Sequence, residues 1–135
     1  MKLYLLLIVC FLGQYVCSQT KKMDLVYEVI HKAEKNKQLM SSEISLLMES
    51  YEDNSLKNNA ELSECRSGAI INIMYNTYNL KKLLYAIKGN RMHQDFVFDE
   101  LGSPIYELDK NKIINNLKEI KGYKKLKDKI NKVLK

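Results

Sequence analysis

Cysteine, histidine and clustered lysine are the residue types in this chain that could do chemistry, and each is scarce or confined. There are two histidines, His31 and His93. No second histidine stands at helical spacing from either, so a two-histidine metal site on one helix has no support, and no Ser-His-Asp series is present. Cys65 with His93 is the one pairing that would offer a nucleophile. Against it, Cys65 falls on an apolar stripe, and a cysteine buried among aliphatic side chains has a raised pKa and is inert. Cys65 therefore reads first as a core residue, second as half of a disulfide joining two copies of the chain, and last as a nucleophile. The acidic residues lack the Asp-x-Asp-x-Asp-Gly order of a calcium loop, and glycine-rich phosphate loops are missing. The expectation is a protein that is not an enzyme and carries no cofactor and no metal.

Lysine is the exception to this scarcity. Residues 110–135 hold ten lysines against Glu119 and Asp128, whereas residues 19–109 hold nine lysines, two arginines and fourteen acids. A mildly acidic body thus precedes a basic tail. One reading is simple solvation of the outer faces of amphipathic helices. The sharper reading is a docking surface for an extracellular protein or a polyanion, built from Lys118, Lys121, Lys124, Lys125, Lys127, Lys129 and Lys132. Lysine attracts anions diffusely, without the two-pronged geometry of arginine, so sequence-specific nucleic-acid binding is disfavoured. A membrane-surface role is disfavoured too, because the basic and aliphatic last helix has no Trp or Phe to anchor it.

Residues 91–109 form an acidic, aromatic connector with Asp95, Asp99, Glu100, Glu107 and Asp109. Its Phe96-Val97-Phe98 run, the turn signals Gly102-Ser103-Pro104 and Ile105-Tyr106 read as a short hairpin or an irregular loop. Phe96, Phe98 and Tyr106 either plug the end of the fold or, if exposed, anchor a partner. The acids of the connector are expected to pair with the lysines that follow.

The elements that would carry these residues are helices. Met23, Val26, Val29, Ile30 and Ala33 share one face of a first helix, closed by the polar run 35–38. Ser41 or Ser42 can cap a second, with Ile44, Leu47, Met48 and Tyr51 on its buried side and 53–55 as its end. From about Leu56 to Lys88 the pattern is unbroken: Leu62, Cys65, Ala69, Ile73, Leu80, Leu84 and Ile87 form one stripe, and Ile71, Met74, Tyr78 and Tyr85 another. A long central helix follows from that, ended by Gly89-Asn90. In the tail, Ile113, Leu117 and Ile120 share a face, as do Leu126, Ile130 and Val133. The two triads lie more than half a turn apart on one straight helix, so the chain must break between them, at Gly122. The expected fold is all-α, a compact domain of about five helices.

The first eighteen residues read as a cleaved secretory signal. Lys2 gives the positive start, Leu3 to Leu12 the apolar run, and Val16 and Ser18 the small residues before Gln19. A single helical domain over 19–135 is then exported with Cys65 as its one cysteine, so no internal disulfide can form and stability must come from apolar burial.

A leader of the form Met1-Lys2-Leu3 to Ser18, one small helical domain, a basic end and no enzyme motif together resemble the small secreted salivary proteins of blood-feeding insects, in particular the helical mosquito inhibitors of complement or contact-pathway proteins. The resemblance is one of outline. It implies a secreted binder that occludes a host extracellular protein such as a complement or coagulation factor. The alternatives are a carrier of a small apolar ligand in a cavity lined by Tyr75, Tyr78 and Tyr85, and a cationic membrane-active protein.

Overall fold

The computed structural model describes residues 20–135, and the leader read over 1–18 lies outside the described residues. Those residues form seven helices and no strand. In chain order they are α1 (20–34), α2 (Ser41–Glu52), α3 (Ala60–Met74), α4 (Thr77–Ile87), α5 (Arg91–Gly102), α6 (Lys110–Glu119) and α7 (Lys124–Val133). The all-helical reading holds, whereas the count of about five is corrected in two places.

The first correction is the long central helix, which the chain divides at Tyr75 and Asn76. Asn76 is extended (φ −119°, ψ 113°), and its side-chain oxygen accepts the Asn79 N–H at 3.1 Å. That bond satisfies one of the amides every helix start leaves open, so a new helix begins there at little cost. The apolar stripe survives the break. Ala69 and Ile73 before it and Leu80, Leu84 and Ile87 after it are all buried, so periodicity alone did not reveal the change of direction.

The second correction is the connector, where Arg91–Gly102 is a helix rather than a hairpin or loop. Asn90, read as a stop signal, caps its start by accepting the His93 N–H at 3.1 Å. His93, Val97 and Leu101, each one turn after the last, form its buried side. The β-branched and aromatic run that suggested a strand instead places Val97 inward with Phe96 and Phe98 half-buried to either side.

The break at Gly122 is as the phase argument requires. Gly122 has φ 85°, and Tyr123 after it is also left-handed at φ 54°. For a bulky side chain that conformation costs roughly 1–2 kcal/mol, and here it turns the chain from α6 into α7. Ile113, Leu117 and Ile120 are buried on one side, and Leu126, Ile130 and Leu134 on the other. Leu134 takes the inward place expected of Val133, which packs at the core's edge.

α4 is the hub, in contact with α2, α3, α5 and α6, while α5 also meets α2, α3 and α7. Leu80, Leu83, Leu84 and Ile87 of α4 are fully buried, and Val26, Val29, Ile30 and Ala33 of α1 join the same core. Asn79, buried among them, accepts the Leu39 N–H at 2.8 Å and donates to the Lys37 carbonyl at 2.8 Å. It thereby ties the α1–α2 link to the hub. Arg66 is the other polar intruder. Only 2 % exposed, it donates from Nη1 to the Ser50 carbonyl at 2.5 Å, with its guanidinium carbon 4.5 Å from the centroid of the Tyr51 ring.

A candidate cationic and aromatic interface

The seven lysines of the tail fall in different settings on the fold. Lys127 is occupied within the fold: its ammonium donates to the Leu117 carbonyl at 3.2 Å and the Ile120 carbonyl at 2.8 Å, closing the C-terminal end of α6. Lys118 and Lys124 border a crevice of about 280 Å³ with Ile114, Leu117, Lys127, Asp128 and Asn131. Lys121 and Lys125 are exposed beside the Gly122-Tyr123 turn.

Lys129 and Lys132 are placed differently. With Val133 of α7 they face Arg91, Gln94, Asp95 and Phe98 of α5 across a groove of about 460 Å³. The Lys129 ammonium lies 5.7 Å from the Phe98 ring centroid, within reach of its π face. Arg91, exposed at the first turn of α5, adds the one guanidinium outside the core. This groove therefore combines three cations with a half-buried aromatic floor. Asp95 is its single acid. The sequence reading had both halves, the tail lysines and Phe98, but placed them on separate segments because α5 was not recognised as a helix that packs on α7.

The other two connector aromatics go elsewhere. Phe96 stacks on Tyr51, with centroids 4.9 Å apart, so it plugs the core. Tyr106 is 48 % exposed, and its hydroxyl donates to Glu64 at 3.1 Å. It lines a crevice of about 310 Å³ with Glu34, Glu64, Cys65, Gly68, Ile71, Asn72, Tyr75 and Glu107. Nor do the connector acids pair with the tail lysines. Among the described residues, the lysine–carboxylate pairs are Lys22–Asp53 and Lys32–Glu43, and two histidines stand beside carboxylates, His31 by Glu34 and His93 by Glu52.

Cys65 is half-buried rather than enclosed, in the wall that the Tyr106 crevice shares with a second one lined by Asp24, Tyr27, Glu28, Ile30, His31 and Glu34. Burial pushes its thiol pKa up, and the charges of Glu34, Glu61 and Glu64 push it further. The environment thus suppresses the thiolate, the opposite of what nucleophilic cysteines require. His93 is committed to α2, with Nε2 2.5 Å from Glu52 Oε1.

One grouping keeps Tyr78 and Tyr85 of the suggested cavity but adds partners that the sequence does not point to. Tyr78, Lys81, Lys82 and Tyr85 of α4 meet Ser41 and Tyr123 around a groove of about 250 Å³. Tyr78 and Tyr85 were read as an inward stripe, yet they are 46 % and 58 % exposed. Their seven-residue spacing puts them on one face, and the lysines between them were the signal that this face is wet. Tyr75, the third tyrosine of the suggested cavity, points away from them and accepts the Asp109 N–H at 2.8 Å.

Among the described residues no helix is long and apolar enough to cross a membrane. No protein-family profile, no curated protein and no solved structure matches the chain.

Proposed function

We propose that this chain is a secreted, non-enzymatic binding protein that occludes an acidic surface of an extracellular macromolecule, with the groove between α5 and α7 as its seat. The observation that carries the reading is the meeting of Arg91, Lys129 and Lys132 around Phe98. Cations set around an aromatic floor attract an anionic patch at long range and give it an apolar anchor on arrival. A host plasma protein of the complement or coagulation kind, as the salivary resemblance implies, is the partner class in this proposal.

Export is tested by expression in a secreting host and sequencing of the mature N-terminus, expected at Gln19. Binding is tested by capture from plasma on the immobilised chain. Retention should fall steeply between low and physiological salt, and the double variant K129Q/K132Q should lose it while keeping the helical circular-dichroism signal. Equal retention by the variant would refute the α5–α7 seat.

The membrane-active reading gains no support from the packing of α7. Its apolar residues Leu126 and Ile130, with Leu134 just beyond, are packed in the protein's own core, whereas a lipid-bound helix turns its apolar face outward.

A further inference from the structure

The groove between α4 and the α6–α7 turn is unlike the α5–α7 groove, and its chemistry points to a small molecule. Its walls are Tyr78, Tyr85, Tyr123, Lys81, Lys82 and Ser41, with no aliphatic side chain among them. An alkyl chain would find no apolar tunnel there. A flat π system would find three phenol rings.

The charged residues that line the groove are lysines, with Glu43 of α2 close enough to Lys82 to feel its charge. α4 contains no acid, and ammonium groups lie over the exposed rings: Lys82 Nζ is 4.2 Å from the Tyr78 centroid and Lys88 Nζ 4.3 Å from that of Tyr85. Lys82 also donates to the Leu39 carbonyl at 2.6 Å, which holds it at the groove's edge. Lys81 is exposed at the groove, and Lys121 and Lys124 flank Tyr123 in the chain.

The third ring is held in place against its own preference. Tyr123 carries a left-handed backbone at φ 54°, next to Gly122 at φ 85°. A bulky residue in that region marks a conformation imposed by its surroundings, and such positions gather at ligand sites. Here the imposed turn brings the Tyr123 ring to the edge of α4.

We infer that the α4 groove binds a planar aromatic anion of nucleotide size, its flat body against the tyrosines and its negative group beside Lys81 and Lys82. The volume, about 250 Å³, is just under the roughly 300–1,000 Å³ usual for ligand pockets, so the occupant is small and partly in solvent. The occupant follows from charge complementarity and from the three tyrosine rings that share the lining with Lys81, Lys82 and Ser41, and it does not depend on the α5–α7 seat.

The chain has no tryptophan, so tyrosine emission is unmasked, and the part of a ligand-induced change that Tyr85→Ala removes reports the groove. Titration of the full chain with adenosine monophosphate and, separately, with naphthalene-2-sulfonate, by calorimetry and tyrosine fluorescence, tests the inference. The expected result is saturable binding of at least one of them at one site, with adenosine and inorganic phosphate each weaker by about tenfold or more, the loss of one stacking or ionic contact. Tyr85→Ala should lower affinity by a similar factor with the circular-dichroism spectrum unchanged, since the ring is exposed, and Lys81→Gln should weaken binding and flatten its salt dependence. Saturable binding of neither probe, equal binding by both variants, preference for dodecanoate over the planar anions, or binding only of oligonucleotides would each overturn it.

Discussion

The guanidinium of Arg66 lies 4.5 Å from the ring centroid of Tyr51, and both residues are buried where α3 meets the C-terminal end of α2. Around them a chain of contacts runs outward. Phe96 stacks on the same tyrosine, whose hydroxyl donates to Glu100 at 3.4 Å. Burial, and then the Glu100 charge, push the Tyr51 phenol far above its ordinary pKa, so it stays a donor. Burial in turn pulls the Arg66 pKa down, while Tyr51 and Glu100 act to hold its proton. A positive charge is thus kept inside a helical core by one carbonyl, one ring and a more distant carboxylate.

Replacing Tyr51 by leucine should therefore cost more than its apolar area suggests. A desolvated cation–π contact of about 2 kcal/mol and a stacking contact of about 1 kcal/mol are lost together, for roughly 3 kcal/mol in urea unfolding. Arg66→Met, which removes the buried charge and keeps its volume, should be milder than Tyr51→Leu.

Lys127→Gln should lower stability by about 1–2 kcal/mol, because the Leu117 carbonyl of α6 and the Ile120 carbonyl just beyond it lose a charged donor. Lys125→Gln, at an exposed position, should be silent. Thermal melts of the two single variants separate structural lysines from free ones, and binding tests on the tail require that separation.

Asn79→Leu should destabilise by about 2–4 kcal/mol although it adds apolar volume to the core. It leaves the Leu39 N–H and the Lys37 carbonyl without their partner, and each buried orphan costs about 1–3 kcal/mol. Hydrogen exchange should report the loss first at the Leu39 amide.

Asp53 carries the clearest pH signature. The hydrogen bond from Lys22, followed by those from the Ser55 hydroxyl and amide, lowers its carboxyl from 3.8 to about 2. Because the folded value lies below the unfolded one, the stabilisation is fully present above the unfolded pKa and is lost as pH falls through the folded one. Both side chains are partly exposed, so screening reduces the gain to about 1 kcal/mol. Asp53→Asn should lose that amount at neutral pH and flatten the acid limb of the stability curve between about pH 4 and 2.

Cys65 should alkylate more slowly than free cysteine at neutral pH, since burial and then Glu34, Glu61 and Glu64 raise its thiol pKa and reduce the thiolate fraction. The double variant E34Q/E64Q should speed iodoacetamide labelling. Labelling as fast as free cysteine in the unmodified protein would contradict the protonated thiol.

Helix periodicity is a local property, and it made much of the fold legible. The buried faces of α1 and α2, the end at Asp53 and the break at Gly122 all follow from which residues recur at 100° intervals and where that recurrence slips. The break at Asn76 was hidden because a capped turn can redirect the chain without shifting its apolar phase. α5 was hidden because its buried side is three residues long and one of them is His93.

The candidate sites were less legible than the fold, for a different reason. Residue types alone marked Phe98, Lys129 and Lys132 as binders, and the uneven charge marked the tail. Which lysine is free and which is spent depends on the carbonyls it can reach, and those sit on another helix, as Leu117 and Ile120 do for Lys127. Whether Tyr85 lies in the core or in water depends on which face of α4 the neighbouring helices cover. The order of residues decided that this protein is helical and where its helices bury apolar surface. Only the packing of those helices decided which side chains from distant segments share a groove, because that is set by how the helices cross and not by any spacing along the chain.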